Sequence, residues 1–212
     1  MAVKLTVWVA ALAAMGERPI TDTGEAREPA RVLTAAWDAV VEDCLEAGLW
    51  NFAKRTSKLA ADTGITPSFG PTEIVAKPTD WVRTMMVSAD ENFSDPYLGF
   101  TDEVDYWASD LTPLYVQYVS NDTSYGLNLT AWPRSFTRYV ELELAERTCE
   151  RITQSGGKKA DLMRDRDRAK RNALNKDAMN EATMFPPTGS WVRARRGGGS
   201  NRDRGNRNSF TG

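Results

Sequence analysis

Glu28-Pro29-Ala30-Arg31-Val32-Leu33-Thr34-Ala35-Ala36-Trp37-Asp38-Ala39-Val40-Val41-Glu42-Asp43-Cys44-Leu45-Glu46-Ala47-Gly48-Leu49-Trp50 holds the clearest periodicity in the chain. Ala30, Leu33, Trp37, Val40, Val41, Cys44 and Leu45 recur at three- and four-residue steps, the mark of one apolar stripe on a helix. Pro29 suits the first turn, where a missing N–H costs nothing, and Gly48 suits a left-handed C′ position. The spacing predicts a helix over residues 28–47. Working back, Leu5, Trp8, Val9, Leu12 and Met15 sit at the same spacing, closed by Gly16 and Pro19. Lys4 followed by Leu5–Met15 also has the layout of a short signal peptide; the stripe favours an amphipathic helix. No run approaches the roughly 18 apolar residues that a membrane span needs.

Working forward, the texture changes after Trp50. Pro67, Gly70, Pro71, Pro78, Pro96, Gly99, Pro113 and Gly126 punctuate the next stretch. Between them lie short β-prone runs over residues 50–59, 81–87, 104–107 and 114–119, read as one small sheet with long loops. Trp132-Pro133 then precedes a helix carrying Phe136, Tyr139, Val140, Leu142, Leu144, Ala145, Cys149 and Ile152. Gln154-Ser155-Gly156-Gly157 breaks it. A fourth, highly charged helix is expected over residues 159–183, with a thin stripe of Leu162, Met163, Arg166, Ala169, Ala173, Leu174 and Ala178. The expected fold is α+β and mainly α. A four-helix body, two helices N-terminal (1–50) and two C-terminal (131–184), carries an inserted small β-rich subdomain (51–130). An extended Gly/Arg-rich C-terminal tail (185–212) follows.

Composition narrows the chemistry. The 212 residues include no histidine, which removes Ser-His-Asp and Cys-His nucleophile systems and every His-ligated metal site. Cys44 and Cys149 lie in helical patterns, far apart, and read as small buried apolar residues rather than a disulfide framework. Gly156-Gly157-Lys158-Lys159 lacks the strand and the Ser/Thr of a phosphate loop and reads as an interhelical turn. Asp102, Glu103, Asp105 and Asp110 lack a calcium-loop pattern and read as solvated acidic surface. No catalytic, cofactor-binding or metal-ligating residue is assigned, and the chain is read as non-enzymatic.

Charge is divided unevenly. Residues 84–133 hold eight carboxylates and no Lys or Arg, while residues 189–212 hold six Arg against Asp203. Trp191, Arg193, Arg195, Arg196, Arg202, Arg204, Arg207 and Phe210 are the candidate partner-binding residues. Their setting fits three roles: a solubilising end, a nucleic-acid-binding segment with arginines among Gly and Asn, or a docking arm with aromatic anchors. Composition does not separate them. Nucleic-acid binding through this Arg/Gly-rich tail is the alternative function.

The order of features resembles the head–tail adaptor proteins of tailed bacteriophages, of the tail tubular protein A type. The resemblance begins at Leu12-Ala13-Ala14-Met15-Gly16-Glu17-Arg18-Pro19-Ile20 and continues through Gly48-Leu49-Trp50-Asn51-Phe52-Ala53, its most specific element. Lys77-Pro78-Thr79-Asp80-Trp81-Val82-Arg83 is similar to the strand that starts the family's inserted sheet. Leu114-Tyr115-Val116-Gln117-Tyr118-Val119 resembles its Tyr-Val strand, and Trp132-Pro133-Arg134-Ser135-Phe136 its lead-in to the late helix pair. The similarity runs in order up to Arg195; the acidic segment 84–133 and the Gly/Arg ending depart from it. It implies a virion structural protein assembled in the bacterial host cytoplasm. It further implies a homo-oligomeric, dodecameric ring beneath the portal protein, with a stopper, nozzle or other tail protein below. Double-stranded DNA would pass through without specific binding, the C-terminal segment would grip the portal, and no membrane or cofactor would take part. The net charge of −7 over residues 1–188 agrees with a pore wall that does not hold phosphates. If the acidic insertion meets a basic surface on an adjacent subunit or tail component, assembly weakens as salt rises. Assembly measured across a salt series checks this, and insensitivity to salt would count against it.

Overall fold

The computed structural model describes residues 3–65, 70–94 and 96–180. Four helices are present: α1 Lys4–Met15, α2 Glu28–Glu46, α3 Arg134–Thr153 and α4 Gly156–Asn180. Between α2 and α3 lie β1 Lys54–Leu59, β2 Glu73–Ala76, β3 Trp81–Ser88, β4 Thr101–Asp102, β5 Tyr106–Ser109 and β6 Leu114–Ser120. The chain is thus mixed helix and sheet, with the strands inserted between two helix pairs.

The stripe of α2 is buried at all seven expected positions. On α1 the buried residues are Val7, Trp8, Ala11, Leu12 and Met15, so the inward face is turned from the expected one, and Leu5 and Val9 flank it. Gly16 closes α1 in the left-handed conformation, with φ of 74°. Gly48 does not play that part. Ala47, at −65°, ends α2, and Gly48 is required for space instead: a Cβ there would lie 2.6 Å from Leu174 Cδ2 and 2.9 Å from Trp50 Cε2. The late break is also shorter than expected. Gln154, at φ 53°, ends α3, and Gly156 and Gly157 form the first turn of α4.

α3 is the central helix and packs against α1, α2 and α4. Eleven of its residues are buried, which no single stripe can supply, so polar side chains are enclosed with the apolar ones. An aromatic seam joins the elements around it. Trp8 meets Trp37 edge-on at 6.2 Å, Trp37 stacks on Trp132 at 6.3 Å, and Trp132 meets Phe136 at 5.0 Å. Phe136 also touches Trp50 and Phe52, at 4.8 and 4.7 Å. The indole N–H groups of Trp50 and Trp132 donate to the carbonyls of Cys44 and Gly126, so both large rings are enclosed without stranding a donor.

The strands form two antiparallel three-stranded sheets rather than one, in the orders β1-β6-β3 and β2-β5-β4. The run expected from Trp50 starts as a 3₁₀ turn, Asn51–Ala53, and becomes strand only at Lys54. The run expected at 104–107 is shifted to Tyr106–Ser109, leaving Val104 at a hairpin tip. β2 was not anticipated, because Ile74 and Val75 are both buried and give no alternation. β6 links the two cores: Val119 belongs to the helical core, while Leu114, Val116 and Tyr118 enclose a second cluster with Val75, Val87 and Trp107.

Asp80 fastens the turn before β3 to the centre of its sheet. Its carboxylate accepts from Arg55 Nη1 at 2.8 Å, from the Tyr118 hydroxyl at 3.2 Å and from the Ser120 hydroxyl. Burial pushes this carboxyl up, but the bonds from Ser120 and Arg55 and the Arg55 charge outweigh it and hold the group below its ordinary value. A carboxylate depressed in the folded state adds stability that is whole above its unfolded value of about 3.9 and is lost as pH falls through the lower folded value. Asp80→Asn is expected to cost roughly 1.5–3 kcal/mol at neutral pH. It should also flatten the acid-induced loss of stability below about pH 4. Urea unfolding of both proteins across that range checks it.

Candidate functional site

All eight residues expected to bind a partner, Trp191, Arg193, Arg195, Arg196, Arg202, Arg204, Arg207 and Phe210, lie outside the described residues. The last described element is α4. Near the end of α4, Asp177 is buried and receives the Asn51 backbone N–H at 3.0 Å and the Asn51 side-chain N–H at 3.1 Å. The same side-chain amide donates to the Asp177 carbonyl at 3.1 Å. One turn earlier, Leu174 rests on Gly48. α4 is therefore clamped to the hinge between α2 and β1.

Two clefts open at this hinge and share Arg83, which donates to the Glu46 carbonyl at 3.0 Å and so occupies the negative end of α2. One, of about 460 Å³, is lined by Ala47, Leu49, Arg83, Leu174 and Ala178. The other, of about 800 Å³, is lined by Glu46, Trp81, Arg83, Asp102, Glu103 and Val104. Both are open and carry a mixed polar and apolar lining, which suits a protein segment better than an enclosed small molecule.

The buried titratable groups lie elsewhere, on α3. Glu141, with its side chain 2% exposed, is met by Arg134 at 3.0 Å and Arg138 at 3.1 Å. Glu143 is met by Arg147 Nε at 2.8 Å and by Arg166 from α4 at 3.1 Å. Arg147 reaches on to Asp43 of α2. Enclosed carboxylates paired in this way are tied up structurally. Burial and the nearby Glu143 charge push the Cys44 thiol far up, so it is no thiolate at neutral pH. Burial likewise pushes the Tyr139 hydroxyl up. Cys149 is buried too, as expected of both cysteines.

The expected acidic surface is partly committed. Asp102 pairs with Lys77 and accepts from the Thr84 hydroxyl at 3.1 Å, while Asp110 accepts from the Thr72 N–H at 3.0 Å. Glu103 and Asp105 are exposed. No group of three or more potential metal ligands occurs among the described residues. The lysines after Gly156-Gly157 are also engaged: Lys158 Nζ donates to the Met15 carbonyl at the end of α1, and Lys159 pairs with Glu150 at 2.8 Å. No described helix is long and apolar enough to cross a membrane.

Sequence reasoning missed Asp177, Asn51, Glu141 and Glu143. The Arg138/Glu141 and Glu143/Arg147 spacings were a signal for the last two, since helical neighbours three or four apart face each other. The Asn51–Asp177 clamp joins residues 126 positions apart and had none. No protein-family model matches the chain, and no curated protein is significantly similar to it. Replacing Asp177 with Ala strands the Asn51 donors and should cost roughly 1–3 kcal/mol. Amide hydrogen exchange over residues 174–180 should accelerate; unchanged protection there would show that the clamp does not hold the helix.

Proposed function

We propose that the chain is a structural adaptor of a tailed-phage head–tail connector. Copies form a ring beneath the portal, join head to tail and let DNA pass. One observation carries this reading. Gly48, Trp50 and Phe52 of the most specific element of the resemblance meet Trp132 and Phe136 of its late motif at one junction: the rings contact one another, and Gly48 gives Trp50 and Leu174 room. Motif residues scattered over more than 80 positions thus share an architectural task, holding the late helix pair against the hinge of the insertion. The enclosed acids are spent on ion pairs (Glu141, Glu143) or on Asn51 (Asp177), and the open features are surfaces and clefts, which supports action through partners.

In this reading residues 189–212 are the portal-docking element, with Trp191 and Phe210 as anchors and the arginines as partners for an acidic groove.

Deletion of residues 189–212 should leave a folded protein that no longer joins heads. Circular dichroism and thermal unfolding check the fold, and mass measurement with and without portal checks attachment. Normal attachment by the truncated chain would refute the docking role. A steep salt dependence of DNA affinity, lost on the same truncation, would favour the nucleic-acid alternative instead.

A further inference from the structure

Two exposed features of opposite charge have no role in the fold described so far. The first is the tip between β4 and β5, Glu103-Val104-Asp105. It is held from beneath by Lys77, whose backbone N–H donates to the Asp105 carbonyl at 2.9 Å and whose ammonium donates to the Glu103 carbonyl. That ammonium also sits 3.8 Å from the centre of the Trp81 ring, and its side chain is only 6% exposed. The Lys77 ammonium also pairs with Asp102, and Arg83, which shares the cleft beside the tip, donates to the Glu46 carbonyl, so the tip presents two exposed carboxylates around Val104, which is 85% exposed. A turn fixed in this way loses little freedom on binding.

The second feature is the outward face of α4. Arg164, Arg168, Arg171, Asn175 and Met179 are exposed and fall at the spacing of a single stripe. Met179 is 83% exposed. Arg164 and Arg168 pair only within the helix, with the exposed Asp161 and Asp165, and such pairs hold little energy. Arg171 has no ion pair among the described residues. Opposite this stripe α4 packs on α3, so the face is rigid, basic and edged by apolar surface.

We infer that the acidic tip of one copy docks on the basic outer face of α4 of a second copy, with Val104 seated among the arginine stems and Met179. Charge complementarity fixes the pairing: residues 84–133 carry no cation of their own, and α4 carries eight Lys/Arg against four Asp. The two faces differ, so the contact is head-to-tail and repeats until it closes on itself. The inference draws on the ring reading only for that closure.

The test uses the full-length chain in sedimentation velocity at low and high salt, with near-ultraviolet circular dichroism to check folding. The chain should form multimers at low salt that dissociate as salt rises. The tip variant Glu103→Arg/Asp105→Arg and the helix variant Arg168→Glu/Arg171→Glu should each associate at least about a hundredfold more weakly, because like charges then face each other. An equimolar mixture of the two restores both contacts and should recover the multimers. Should a reversed variant fail to fold, Asp105→Asn and Arg168→Gln replace them, each with an expected weakening of about tenfold. A monomer under all conditions, variants that associate normally, or a mixture that does not recover would overturn the inference. So would loss of duplex DNA binding by the helix variant with self-association unchanged, which would make the stripe a DNA surface. A chain that pairs in this way but joins no portal would overturn the adaptor reading alone.

Discussion

A helix bearing Glu141 and Glu143 can be surrounded by protein only if each carboxylate brings its counter-ions inside with it. Taking a carboxylate out of water costs several kcal/mol even after relaxation, so an unpaired one would unfold its surroundings. α3 meets this constraint in two ways. Glu141 is served by arginines of its own helix, Arg134 and Arg138. Glu143 instead draws Arg166 from α4, and through Arg147 it is linked to Asp43 on α2. The second carboxylate therefore ties together three helices that apolar packing alone would leave free to slide. α4 depends on this most. Its inward residues are few and small, with Leu162 and Ala173 buried, and an isolated helix with so thin a stripe is marginal in water.

The same economy appears at the other end of α4. Asp177 satisfies the Asn51 backbone N–H at the turn that leads from α2 into the sheet, a donor that no strand partner takes. Leu174 fills the space that Gly48 leaves open. Helix position and strand entry are thereby set by one contact region. From there Asp80 carries order into the sheet by joining Arg55 on β1 to Tyr118 and Ser120 on β6. Rigidity passes from α3 through α4 to the insertion along polar contacts, while the aromatic seam supplies the bulk of the enclosed surface.

The division of the chain into helix, insertion and helix was readable because it rests on local pattern. α2 shows the full three- and four-residue recurrence, and β6 is rich in β-branched and aromatic residues. The strand Glu73–Ala76 was not readable, since both of its central residues are enclosed and no alternation marks it. Gly48 was placed correctly at a helix end and given the wrong reason, because its neighbour Leu174 lies 126 residues away and only the folded chain brings it near. Of the expected acidic surface, Glu103 and Asp105 face solvent, Glu103 within hydrogen-bond reach of the Tyr106 hydroxyl, whereas Asp102 and Asp110 are engaged by residues from other strands and loops. Position along the chain does not distinguish these four; pairing across the sheet does.

What the described fold leaves outside its core is as ordered as what it encloses. The ammonium of Lys77 is spent on the Glu103 carbonyl, the Asp102 carboxylate and an indole face beneath the hairpin, and no ion pair to Glu103 or Asp105 occurs among the described residues. On α4, Arg166 is engaged by Glu143 and Glu146 of α3, while Arg164 and Arg168 pair only with exposed carboxylates of the same helix. The fold thus satisfies its buried charges and leaves two surfaces of opposite sign only weakly matched. Solvent tolerates that state at little cost, since exposed ion pairs are worth at most about 1 kcal/mol. A neighbour that covered them would have to repay the desolvation of each charge with a well-placed counter-charge, and pre-positioned groups keep the ordering cost of doing so low. The geometry that stabilises one copy is therefore also what would ease the joining of a second.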